Sequence, residues 1–300
     1  MAGLTHAVTF IVQKRFDPHE ALDLMERHRC TVYYGMPNMT AQILAVNQHQ
    51  PRAVDSLRTG LTIGPPEALR ETARLVPGIC NVYGLTETYG NCAVTDAEDD
   101  LETRATTQGK PLPGMQIRVV DESGSDEPTG RDGRILVRGH VTSGYFREPE
   151  LTAEAFRFDG WFDTGDLGAI DDEGRVRYKG RLKELIKTGG INVSPVQVEA
   201  VLATCPGVIQ AHVVGIPHAV DGEIVVAAIE WEEAAEMETA RSICLERLPR
   251  YAVPVRYVSI RESDLPRTAS GKVRRSELAA RLVADDDAAT RRASGADTPP

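Results

Sequence analysis

GRLKELIKTGGINVSP, residues 180–195, is the stretch whose reading decides the fold of this chain. A strand-like VRYK ends at Lys179, LKELIK follows, Gly189 and Gly190 break the run, and Ser194-Pro195 opens a helix that VQVEAVL continues. Serine at the cap and proline at the first helical position are expected to satisfy the loose amides there and to preset φ. Lys179, Arg181, Lys183 and Lys187 stand beside a turn whose glycines permit close backbone approach, an arrangement able to hold an anionic ligand. Taken alone, the segment reads more simply as a solvated basic hairpin.

Downstream of it the pattern predicts a small α+β domain over 183–283. Its expected elements are a helix at 195–204, strands at 208–216 and 223–230, a helix at 235–248, a strand at 255–260 and a closing helix from Ser276 to Val283. Residues 284–300 are small, polar and proline-ended, which predicts a disordered tail. Upstream, 105–182 carries short alternating strands, Met115 to Val120, Gly133 to Gly139 and Arg175 to Tyr178, joined by DESGSDEPTGRDG and DDEG. That texture predicts a β-rich subdomain with a loop, GYFREPELTAEAFRFDGW, inside it. Residues 1–104 alternate strand and helix: a strand at Ala7 to Val12, a helix from Asp17-Pro18, TVYYG at 31–35, a helix from Pro37 to Asn47, LRTGLTI at 57–63, a helix from Pro66 to Leu75 and a strand at Ile79 to Tyr83. Alternation at this spacing means a parallel sheet with crossover helices, and TDAEDDLETR at 95–104 reads as a surface connection after it.

Composition narrows the function. The 300 residues hold 34 Lys and Arg against 44 Asp and Glu, a formal net charge of -10, which argues against a nonspecific nucleic-acid binder. Cys30, Cys80, Cys92, Cys205 and Cys244 form no CxxC or Cys/His ligand cluster, and their odd number and wide scatter suit a reduced cytoplasmic protein. No signal-peptide pattern and no apolar run long enough for a membrane span is visible.

Three further stretches can carry chemistry. NVYGLTETYG at 81–90 follows a strand and offers Tyr83 as a flat face for a base, the Thr86 hydroxyl for a phosphate oxygen and Glu87 as a hard oxygen ligand for Mg²⁺. Each has an ordinary reading too: core aromatic, loop cap, solvated carboxylate. GWFDTGDLG at 160–168 sets Asp163 and Asp166 among glycines, suited to accept two vicinal ribose hydroxyls or simply to make an aspartate-rich turn. LPRTASGKVRRSEL at 265–278 puts Lys272 beside Gly271 on a loop, as a mobile point charge or as one of several surface cations. None of the seven histidines has a convincing acid/base partner in sequence.

YGLTE at 83–87, GDLG at 165–168, GRLKELIKTGGINVSP at 180–195 and PRTASGK at 266–272 occur in the order and spacing of one family. The chain closely resembles the C-terminal portion of the adenylate-forming enzymes: acyl-CoA synthetases, luciferases and the adenylation domains of peptide synthetases. Weaker likeness lies in RFDPHEALDLMERHRCTVYYGMPNM at 15–39 and GRILVRGHVTSGYFREPELTAEAF at 133–156. The resemblance implies that Tyr83 stacks on adenine, Thr86 contacts the α-phosphate, Glu87 helps hold Mg²⁺, and Asp166 binds the ribose hydroxyls assisted by Arg181. It makes Lys183 the hinge before a mobile C-terminal domain, and Gly189 and Gly190 the lining of a pantetheine channel, with Lys187 and Asn192 as neighbouring cofactor contacts. Lys272 becomes the lysine needed for adenylation. ATP, Mg²⁺ and coenzyme A are the implied cofactor and co-substrates, and a small-molecule carboxylic acid the implied partner.

The implied chemistry has two steps: a carboxylate attacks the α-phosphorus of ATP to give an acyl-adenylate and pyrophosphate, and a thiolate then expels AMP. Joining two anions calls for cations rather than an acid/base pair. One departure shapes the expectation. The family's early TSGTTGxPKG-type phosphate loop has no counterpart in these 300 residues. The large α/β domain is therefore expected to be partial, followed by a whole small α+β domain. On that expectation the chain is a fragment of an acid–CoA ligase with little activity alone, requiring a polypeptide that supplies a missing N-terminal half. The alternatives are a noncatalytic remnant and a freestanding adenylation enzyme that loads a carrier protein.

Overall fold

Asp17 and Pro18 open the first helix, α1, Pro18–Arg27. Asp17 Oδ1 accepts the Glu20 amide at 2.8 Å, and proline at the first position has no amide to satisfy. The computed structural model describes residues 7–232, 237–268 and 273–293. Ala7 to Val12, expected as a first strand, form none. Apolar residues there do not suffice, because a strand also needs a neighbour for its amides and carbonyls.

Strands β1, Val32–Tyr34, β2, Thr59–Thr62, and β3, Gly78–Leu85, alternate with helices α2, Pro37–His49, and α3, Pro66–Leu75. β1 pairs with β2 and β2 with β3, both in parallel, as the strand–helix alternation requires. Two strands that local pattern did not reveal, β4, Gly90–Val94, and β5, Lys110–Pro111, extend the sheet antiparallel in the order β1-β2-β3-β4-β5. Leu22, Ile43, Leu69, Leu75 and Ile79 pack with Tyr33 into a core beneath the helices. The stretch expected as a surface connection contains a short helix, α4, Leu101–Thr106, capped by Asp100 on the Thr103 amide. Its Arg104 is buried because its guanidinium donates to the carbonyls of Pro77 and Ile79, at 2.9 and 2.7 Å.

A second sheet follows with order β6-β7-β8-β9: β6, Gln116–Val120, β7, Gly133–Arg138, β8, Phe162–Ile170, and β9, Val176–Arg181. A helix, α5, Pro149–Ala155, occupies the segment expected as loop. Met115, Ile135, Val137, Phe162 and Val176 share a core with Tyr83, Cys92 and Ala93 of the first sheet. The expectation of a partial large domain is corrected accordingly. The architecture is two-domain: a large part with mixed sheets and covering helices, and a small α+β part.

The chain divides into two compact units, Met1–Thr164 with Gly168–Tyr178, and Gly165–Leu167 with Lys179–Pro300. In the second, β10, Ile186–Thr188, and β11, Ile191–Val193, form a hairpin, and α6 spans Pro195–Leu202. β12, Val208–His218, and β13, Gly222–Trp231, pair antiparallel along their length, and β14, Arg256–Ser259, adds to β13 in parallel. α7, Met237–Arg247, and α8, Arg275–Ala293, complete the unit, α8 running past its expected end at Val283. Val225, Ala227 and Ile229 face the core under α6 and α7, whereas Val226 and Ala228 face Leu278 and Leu282 of α8. A strand covered on both faces explains why IVVAAI is an unbroken apolar run.

Candidate active site

Each unit holds its own share of the predicted residues. In the first, Tyr83 lies near the end of β3, and Thr86, Glu87 and Thr88 form a single 3-10 turn directly after it. This position, at the carboxyl end of parallel strands, is where open α/β sheets bind ligands. The turn is held by Thr88, buried, whose hydroxyl accepts the Leu85 amide at 3.0 Å and donates to the Gly90 carbonyl at 2.7 Å. Gly84 permits this return, since a Cβ there would meet the Gly90 carbonyl oxygen at 2.0 Å. Thr86 is exposed and available to a ligand. Tyr83 is not: it is 5% exposed, its ring stacked on Tyr178 at 6.0 Å between centroids. The ring packs in the core with Met115, Ile135 and Phe162.

Glu87 is gripped twice by one loop. Its carbonyl accepts the Thr142 amide at 2.7 Å, and its Oε1 accepts the Tyr145 hydroxyl at 2.8 Å. The second carboxylate oxygen has no hydrogen bond to another described residue, which leaves it able to meet a hard cation. One carboxylate fits Mg²⁺ better than a dedicated protein cage would, because this ion keeps waters and takes substrate phosphates as ligands. Among the described residues no group of three or more His, Cys, Asp or Glu gathers to hold a metal by itself.

In the second unit Asp166, buried, meets Arg181 with Oδ1 2.9 Å from Nε. Gly165, just before Asp166, takes φ +70°, the left-handed backbone that favours glycine. Asp163, weighed beside Asp166, belongs to the first unit and is occupied by Arg134 and Arg157 at 3.0 and 3.2 Å, so the two aspartates have separate surroundings. Lys183 is exposed on a 3-10 turn, Leu182–Glu184. Gly189 and Gly190, φ +55° and +80°, close the β10–β11 hairpin, and nothing lies within 4 Å of a Cβ built on either. Lys187 and Asn192 face each other across that hairpin and are exposed. Lys272 lies outside the described residues.

Ser194 corrects the local reading of its motif. It stands at the N-cap of α6, but its hydroxyl donates to the Lys179 carbonyl instead of capping the helix. Arg275, which motif reading set with Lys272 among the solvated surface cations, instead reaches Glu184 at 2.9 Å, takes both Glu199 oxygens and donates to the Val213 carbonyl at 2.8 Å. Its partners lie 62 and more residues upstream, beyond any local pattern. All five cysteines are free, and burial raises the thiols of Cys30, Cys80, Cys244 and Cys205, the last to about 11, which makes them poor nucleophiles.

Comparison with known proteins gives two sequence-model matches. The sequence model for the AMP-binding enzyme matches residues 1–146, and that for the AMP-binding enzyme C-terminal domain matches residues 197–272. The chain belongs to the AMP-binding enzymes. Similar proteins include the sulfoacetate–CoA ligase of Cupriavidus necator, 36% identical over 93% of this chain and 55% of the relative. Indoleacetate–CoA ligase of Aromatoleum aromaticum is 34% identical over 92% and 54%. The solved o-succinylbenzoate CoA synthetase of Bacillus subtilis, in complex with an acyl-adenylate, superposes with a TM-score of 0.82 at 28% identity, covering 92% of this chain and 56% of that one. The chain thus spans about half the length of the relatives it matches.

These matches correct four expectations. A likeness to the C-terminal portion alone does not stand, because both domains of the AMP-binding enzymes are represented, the first from residue 1. The partial large domain falls on the same finding. So does the expected inactivity, which rested on an AMP-binding domain lacking its phosphate-binding segment, and with it goes the partner carrying a missing half. No helix among the described residues is long and apolar enough to cross a membrane.

Proposed function

We propose that this AMP-binding enzyme is a carboxylic acid–CoA ligase working through an acyl-adenylate. The observation that carries the reading is the pair of Asp166 and Arg181: fifteen residues apart in sequence, with a ribose-binding role suggested for both, they meet at 2.9 Å. A carboxylate offers two acceptor oxygens, one for each of two vicinal sugar hydroxyls. The names of relatives more than 30% identical over nine-tenths of this chain, sulfoacetate–CoA and indoleacetate–CoA ligase among them, support acid–thiol ligation.

In this reading Thr86 donates its hydroxyl to the α-phosphate, and Glu87 turns its outer oxygen to the magnesium that accompanies ATP. Magnesium, when bound, neutralises phosphate charge. Lys272 supplies a cation to the carboxylate and phosphate oxygens during adenylation. Arg181 holds Asp166 for the ribose. Tyr83 is the packed wall behind the turn. The hairpin glycines leave room beside Lys187 and Asn192 for the pantetheine arm, whose thiol attacks the acyl carbonyl and releases AMP. Lys183 is the pivot at which the small domain changes orientation between the two steps. Residues 34–39, 62–66 and 89–92, gathered by β1, β2 and β4, contribute to the acid pocket.

The test is pyrophosphate release by the purified 300-residue chain with Mg-ATP and a panel of carboxylic acids, short sulfonated, arylacetic and medium-chain, followed by addition of CoA or a phosphopantetheinyl carrier protein. Acid-dependent pyrophosphate release and acyl-CoA formation are expected, with Asp166→Ala lowering AMP affinity at least roughly tenfold, as loss of charged hydrogen bonds does. Absence of acid-dependent turnover across the panel overturns the ligase reading, and transfer to the carrier alone replaces CoA as the acceptor.

A further inference from the structure

Glu87 lies on a turn of three residues, and such a short segment does not orient a carboxylate by itself. The loop that follows β7 does. Tyr145 donates its hydroxyl to Glu87 Oε1 at 2.8 Å, and the Thr142 amide donates to the Glu87 carbonyl at 2.7 Å, so side chain and backbone are fixed from the same direction. The loop is itself tightly held. Thr142 Oγ1 donates to the Gly144 carbonyl at 3.1 Å, and the Tyr145 amide donates to Thr152 Oγ1 at 2.9 Å on the first turns of α5. Thr152 in turn donates to the Glu148 carbonyl at 2.8 Å. Gly144, φ +149°, is needed because a Cβ would meet Thr152 at 2.6 Å. The Tyr145 ring packs against the core around Tyr83, Cys92 and Phe162.

We infer that Tyr145 is a positioning residue for the metal-facing carboxylate of Glu87. This rests on the nucleotide-ligase reading above and adds to it a residue to which no role was assigned. A phenol donating to one oxygen fixes rotation about the last side-chain bond and presents the other oxygen in a single direction. It also draws charge from Oε1, so that the cation is met by Oε2 alone. Carboxylates that ligate metals are themselves hydrogen-bonded, and losing such an outer partner weakens metal affinity by roughly 10- to 100-fold. Tyr145 touches neither nucleotide nor acid in this scheme; it acts through Glu87.

Tyr145→Phe keeps the packed ring and removes only the hydroxyl. ATP binding to the full chain is measured calorimetrically in Mg²⁺ and in EDTA, for wild type, Tyr145→Phe, Glu87→Gln and the double variant, with melting temperatures recorded alongside. The expected result is a roughly tenfold or greater loss in Mg²⁺ for Tyr145→Phe, no change in EDTA, and no further loss when it is added to Glu87→Gln. Equal losses with and without Mg²⁺ overturn the inference, and so does wild-type magnesium dependence in Tyr145→Phe when Glu87→Gln has lost it. A wild-type chain whose ATP binding ignores Mg²⁺ overturns the nucleotide reading and this inference together.

Discussion

His212 sits on β12 with its Nε2 3.3 Å from Gln210 Oε1, and burial first, then Arg275 and Arg267, push its imidazole from 6.5 down to about 4. The folded protein therefore refuses a proton that the unfolded chain takes up. Its contribution to stability is whole above pH 6.5 and is lost as the pH falls through about 4. Over that window the loss is on the order of 3 kcal/mol. Urea midpoints taken between pH 7 and pH 4.5 should fall for the wild type, and His212→Gln should fall less steeply; parallel curves would refute the assignment. Sequence could not show this, because the cations that act on His212 come from residues 55 and more positions away. Residue types within one motif were more legible. Asp17 caps and Pro18 starts a helix as their chemistry dictates, and Asp166 finds Arg181. Ser194 was misread because a hydroxyl has a choice of acceptors and donors, and the nearer claim, the Lys179 carbonyl, lies on β9 rather than along the helix.

Elements governed by local pattern were the ones sequence revealed. α3 runs from Pro66 to Leu75 as its proline start and apolar spacing predict, and the strands β1 to β3 follow from the helices between them. β4 and β5 were not seen: five and two residues long, they owe their form to pairing with β3 and with each other rather than to alternation. α4 and α5 hide in charged stretches because six or seven residues give too little period to register. The β10–β11 hairpin is an element whose turn is legible to the residue. Two successive positive φ angles at Gly189 and Gly190 suit the tight turn that matches strand twist. Replacing both by alanine should cost about 1–2 kcal/mol per residue for the left-handed backbone, although no side chain would clash. Hydrogen exchange at the β10 and β11 amides is the measurement; unchanged protection would mean the hairpin does not depend on its turn.

At the scale of the molecule, several apolar side chains of the N-terminal sheet and the segment before it are left in solvent. Phe10 is 58% exposed, Val12 80%, Val32 58% and Tyr34 69%, with Met36 and Ile63 also open. On β1 only Tyr33 turns inward, so one side of that strand is an apolar surface facing water. The chain should bind a hydrophobic dye while folded and associate as its concentration rises. Val32→Thr with Tyr34→Thr, which keeps strand preference on that side, should lower both without lowering the melting temperature; no change in dye binding would place the apolar surface elsewhere. The candidate site was legible in outline because its motifs are short and ordered, whereas the company each residue keeps, Tyr145 at Glu87 or Tyr178 at Tyr83, is set by pairs 58 and 95 positions apart.

Arg275 has a consequence for how the protein is made. It reaches back to Glu184 and Glu199, 91 and 76 positions earlier. On the ribosome those carboxylates emerge first, at about 5–20 residues per second, and wait several seconds for their cation. Until then Glu199 on α6 has the Val213 amide of β12 on one oxygen but not the guanidinium, although the hairpin strands can already pair. The small domain thus completes itself only when residue 275 arrives, and a chain halted before it would leave the ribosome with its last lock open.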